Sequence, residues 1–85
     1  MPLITVFYGI IITMYWDDRL PAHFHAEFGE YEAKFDLDGN VIEGELPRNK
    51  KRLVEAWAIL HKEELETEWK LVKNKMPVMP IDPLK

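Results

Sequence analysis

The chain has 85 residues, 47% apolar and 31% charged, with a net charge of -4 and no cysteine. That length holds one domain with a small core. The apolar share excludes a disordered chain, and the missing cysteines exclude a disulfide framework, a zinc–thiolate site and a thiol nucleophile.

No apolar run nears the roughly 18 residues that a membrane span needs. No basic segment precedes the first apolar stretch, so a signal peptide is not expected and the cytoplasm is. No repeat or low-complexity segment is visible. One domain over 1–85 is expected, in three zones: 1–46, 47–75 and 76–85.

The first zone reads as strands and tight turns. Leu3 to Tyr8 is rich in β-branched and aromatic side chains. After Gly9, residues Ile10 to Trp16 read as a strand touched on both faces, because they do not alternate. Asp17-Asp18-Arg19-Leu20-Pro21 is turn chemistry. His23 to Phe28 alternates: Phe24, Ala26 and Phe28 share one face, and His23, His25 and Glu27 share the other. Gly29-Glu30 is a candidate two-residue turn, and Tyr31 to Leu37 alternates again. Asp38-Gly39-Asn40 signals a hairpin. Val41 to Glu45 is a short last strand, with Gly44 marking a bulge or a close backbone approach.

The second zone reads as one long helix starting near Pro47. At 100° per residue, Leu53, Val54, Trp57, Leu60, His61, Leu65, Leu71 and Val72 fall in a sector about 140° wide. Trp69 sits just beyond its edge. Glu64 and Glu68 also project toward this sector, so the helix either bends there or leaves the sheet. The third zone has prolines at 77, 80 and 83, the period of polyproline II. The favoured reading lays Ile81 and Leu84 across the domain; the alternative seats the tail on a partner or a second subunit.

His23, His25 and Glu27 form the first candidate site. Alternate strand residues share a face, roughly 6–7 Å apart. Imidazole and carboxylate suit a divalent metal, and paired imidazoles suit acid–base work near neutral pH. The heavier weight falls on a half-exposed sheet face whose histidines bond to neighbours or meet a second subunit. No cofactor is implied otherwise. His61 is a third catalytic candidate, but the helix should place it on the sheet face opposite His23 and His25.

Arg48, Lys50, Lys51 and Arg52 form a basic run at the helix start, where cations oppose the macrodipole. Free backbone N–H groups there suit an anion or an acidic partner. A solvated turn pairing with Glu43 and Glu45 is the simpler account. A pI of about 5.3 argues against a nucleic-acid binder. Asp17, Asp18, Asp36 and Asp38 have sufficient roles in turns.

Phe7-Tyr8-Gly9, Pro21-Ala22-His23-Phe24-His25, Gly44-Glu45-Leu46-Pro47-Arg48, Trp57…His61…Leu65…Trp69 and Pro83-Leu84 together resemble the bacterial family DUF4160. Ala22 departs from that pattern, which usually has a second proline there. The resemblance implies a small cytoplasmic bacterial protein, often encoded beside a DUF2442 protein in pairs that look like toxin–antitoxin or regulatory modules.

The fold expected is α+β: an antiparallel meander of four to five short strands, one long C-terminal helix and an extended tail. Ten aromatics are a heavy load for one small core, so surface is left for a partner. The favoured function is a protein-interaction or regulatory module, as a homodimer or with a small protein partner. The alternative is a small metal- or histidine-dependent hydrolase or nuclease using the His23/His25 face.

Overall fold

The alternation of aromatic and polar residues from His23 to Asp36 fixes the centre of the molecule. A computed structural model describes residues 3–16 and 19–85; Asp17 and Asp18, two of the expected turn residues, lie outside the described residues. Five strands form one antiparallel sheet in the order of the chain: β1 (Leu3–Phe7), β2 (Ile10–Thr13), β3 (His23–Phe28), β4 (Tyr31–Asp36) and β5 (Val41–Glu45).

Register sorts the side chains between two faces. Ala26 pairs with both Ile12 and Ala33, and Phe24 pairs with Phe35, so these residues share the helix-covered face. His25 pairs with Thr13 and Lys34, and Lys34 pairs with Glu43, so these share the opposite face. β2 is shorter than the sequence suggests. It ends at Thr13, and beyond it the Tyr15 ring lies edge-on to His25, with centroids 4.8 Å apart.

Two turns depend on left-handed backbone. Tyr8 (φ 49°) and Gly9 (φ 78°) close the β1–β2 hairpin, the sign pattern of a type I′ turn. Gly44 (φ 80°) sits where β5 crosses β4 closely, and a Cβ there would lie 2.3 Å from the Glu32 carbonyl oxygen. Gly44 itself pairs in register with Ala33, so the glycine marks a close backbone approach, and the bulge falls two residues earlier, where Ile42 is skipped between the Lys34–Glu43 and Phe35–Val41 pairs.

The expected single helix is two helices. α1 spans Arg48–Leu60 and α2 spans Lys62–Lys73, broken at His61 (φ -119°, ψ 26°). The break serves packing. A straight helix of this length would run past the edge of a sheet whose strands are only four to six residues long. Val54, Trp57 and Ala58 of α1 are buried, as are Leu65, Glu68 and Val72 of α2. Trp57 is the hub of the core: its ring lies 5.5 Å from Phe7 and 5.6 Å from Phe24, which stacks on Phe35 at 5.5 Å. Truncating such a residue typically costs about 3–5 kcal/mol.

Residues 76–85 form neither helix nor strand. Ile81 is nonetheless buried, and its N–H donates to the Ile4 carbonyl at 3.4 Å. Trp57 Nε1 donates to the Asp82 carbonyl at 2.8 Å, and Met79 N donates to Glu68 Oε1 at 2.9 Å. Val78 and Leu84 pack on the core beside them. No helix among the described residues is long and apolar enough to cross a membrane.

Candidate functional site

His23 and His25 lie on the sheet face away from α1, as strand alternation requires, but they are not half-exposed. Their relative exposures are 7% and 6%. A row of rings explains this. Tyr15 meets His25, the two imidazole centroids are 5.2 Å apart, and His23 lies 5.7 Å from Trp69 of α2. Lys73 closes the row at its far end, with its ammonium 5.3 Å over Trp69 and 3.2 Å from the Trp16 carbonyl. The helix break at His61 lets α2 bring Trp69 round to this side.

His23 is oriented by its own loop. Nδ1 lies 2.8 Å from the Pro21 carbonyl, which can only accept, so Nδ1 carries a proton. In the neutral ring the lone pair then belongs to Nε2. The Leu20–Pro21 peptide is cis. His23 also lines a recess of about 330 Å³ with Arg19, Leu20, Pro21, Lys34 and Ile42. Glu43 stands at the same recess and forms a 3.0 Å ion pair with Lys34. This wall offers cations and a histidine beside apolar groups, which suits a small anion carrying an apolar portion.

Glu27 shares the face of the two histidines, in the row Val6–Ile11–Glu27–Glu32–Glu45. Among the described residues, no group of three or more His, Asp or Glu side chains is placed to hold a metal ion. Glu32 Oε1 lies 4.0 Å from His25 Nδ1.

His61 belongs to another neighbourhood. Its ring lies 5.7 Å from Trp57, and Nδ1 bonds the Glu64 carboxylate Oε1 at 2.6 Å. The basic run divides as well. Lys50 is tied to the β1–β2 hairpin, 3.1 Å from the Tyr8 carbonyl and 4.6 Å over the Phe28 ring. Arg48, Lys51 and Arg52 are exposed at the start of α1, whose first turn has no acid and no side-chain cap. Glu43 pairs with Lys34, so it is not the partner of this run.

Sequence reasoning missed Tyr15, Trp69, Arg19 and Lys34 as parts of the histidine neighbourhood. The one available signal was Trp69, placed just outside the apolar sector of the helix. The tetrad of rings and its recess define a small α+β domain with an enclosed histidine pair. The sequence matches the family model described as "Domain of unknown function (DUF4160)" over residues 9–70, and the chain belongs to that family. No curated protein matches it significantly, and neither does any solved structure.

Proposed function

We propose that this protein is a non-enzymatic interaction module, one member of a regulatory gene pair of the toxin–antitoxin kind, working in the cytoplasm. It meets a small basic protein partner through the sheet face opposite α1. The observation that carries this reading is the apolar strip on that face. Leu3 and Val6 are about half exposed, and Val6 pairs with the partly buried Ile11. Scattered exposed apolar residues are normal, but a contiguous strip beside a row of acids is an interface signature.

Charge selects the partner. Glu27, Glu32 and Glu45 continue the Val6–Ile11 row, so a second copy would set like charges together, whereas a basic partner complements them. The sheet edges are less suited to docking. Ile81 bonds the β1 edge, and β5 carries a bulge at Ile42 and the acids Glu43 and Glu45. The test is titration of the co-encoded small protein, of the DUF2442 kind, with mass measured by light scattering. A defined heterocomplex lost on Val6→Lys is expected. A monomer that ignores the neighbour, or a homodimer unaffected by Val6→Lys, defeats the reading.

The second reading is a histidine-dependent hydrolase acting on a phosphorylated substrate. The recess shared by His23, Arg19 and Lys34 favours it. Here His23 and His25 move protons, with or without a divalent metal. Metal analysis and a ribonuclease assay of His25→Ala against wild type test it; activity above background that His25→Ala leaves unchanged removes it.

A further inference from the structure

Glu68 is 2% exposed, although it is an acid on the second helix. Oε1 accepts the Met79 N–H at 2.9 Å. Oε2 is also buried and has no hydrogen-bond partner among the described residues. Burying a charged oxygen without a partner is costly, so a carboxylate held this way is prepared for a donor that arrives from outside. Burial pushes the Glu68 carboxyl above its ordinary range, the Met79 N–H pulls it down, and nearby Glu64 adds to the rise.

Glu68 lines a recess of about 350 Å³ between α2 and the C-terminal segment. Glu63, Glu64 and Thr67 form one wall; Met79 and Pro80 form the other. The walls differ in chemistry: one is anionic, the other a thioether and a pyrrolidine ring. A bare metal ion matches neither the apolar wall nor the placement of the acids, which form no cage of three. A cationic head on an aliphatic stem matches both walls. The stem lies on Met79 and Pro80, and the head donates to Glu68.

We propose that this recess binds an alkylguanidinium or alkylammonium group, the end of an arginine or lysine side chain, with Glu68 Oε2 as acceptor. Glu63 and Glu64 supply the surrounding negative charge. Glu64 keeps one oxygen on His61 while doing so. Charge-assisted bonds of this kind are the stronger class, and they gain further where water is excluded.

The test is an amide-resolved NMR titration of the full chain with n-butylguanidinium, run beside its neutral isostere n-butylurea. Saturable shifts at the Thr67, Glu68 and Met79 amides with the cation, and none with the urea, are expected. Glu68→Gln keeps the size and the Met79 acceptor, and should weaken the cation about tenfold. Equal response to the urea, no saturable shift with the cation, or unchanged affinity in Glu68→Gln overturns the proposal. The comparison of cation with urea on the wild-type chain decides the matter even if Glu68→Gln does not fold.

Discussion

Trp57 and Asp82 are joined by a 2.8 Å hydrogen bond from the indole N–H to a backbone carbonyl. One bond thus connects the hub of the core to the segment that follows α2. Trp57→Phe removes the donor and leaves a small void. A loss of about 1–2 kcal/mol is expected, read as a lower midpoint in urea. Faster amide exchange at Met79 and Ile81 should accompany it, with exchange in β3 and β4 following only the global change.

Gly44→Ala should be costly for a different reason. The added methyl would meet the Glu32 carbonyl at 2.3 Å, and an alanine is strained at φ 80°. Since the obstructing atom is backbone, it cannot rotate away. About 2–3 kcal/mol of destabilisation is expected, with loss of protection along β5 and its β4 partners. Calorimetry and hydrogen exchange together check both parts.

Glu68 gives a pH signature. Its folded carboxyl is raised, chiefly by burial, so the native state holds the proton more tightly than the unfolded chain does. The resulting penalty is present above the folded pKa and is relieved as pH falls through it toward the ordinary glutamate range. Glu68→Gln should therefore melt higher than wild type at pH 7–8, by the few degrees that about 1 kcal/mol gives in a domain of this size. The gap should close toward about pH 4. Melting curves across that range check the sign; a gap that widens on acidification refutes it.

Asp36 has the opposite sign. Burial alone would raise its carboxyl, but bonds from Asn40, Asp38 and Gly39 outweigh that and hold it below the ordinary range. Its stabilisation is present above the unfolded pKa and is lost as pH falls through the folded one. Asp36→Asn should thus loosen the β4–β5 turn at neutral pH and make little difference in strong acid. Amide exchange of Asp38 and Asn40 reports it directly.

Trp69→Ala should uncover the histidine pair. The ring lies 5.7 Å from His23, so its removal shifts the His23 ring protons in NMR and costs about 2 kcal/mol of burial. The His61 ring, which rests on Trp57, should hardly move.

Much of the sheet was legible because a period of two leaves little choice. Phe24, Ala26 and Phe28 against His23, His25 and Glu27 determined both faces of β3. The burial of the histidines was not legible, because Tyr15 and Trp69 reach them from other elements. The helix break was half-visible: Glu64 and Glu68 were misplaced on a straight helix, but periodicity does not say where a helix yields. Nor does it show that an inward acid such as Glu68 finds a backbone N–H eleven residues later. The sequence likewise treated the basic run as one unit, whereas the hairpin carbonyl of Tyr8 takes Lys50 out of it.

The contact between Ile81 and Ile4 has a kinetic meaning. The hairpins of the meander close over two to nine residues each, while this contact spans nearly the whole chain. Local pairings form early and cheaply, and long closures wait until the rest is in place. The C-terminal segment is therefore expected to dock after the sheet and helices have formed. It should also be the first part to open under native conditions, exposing Trp57 and the edge of β1 while the meander stays intact.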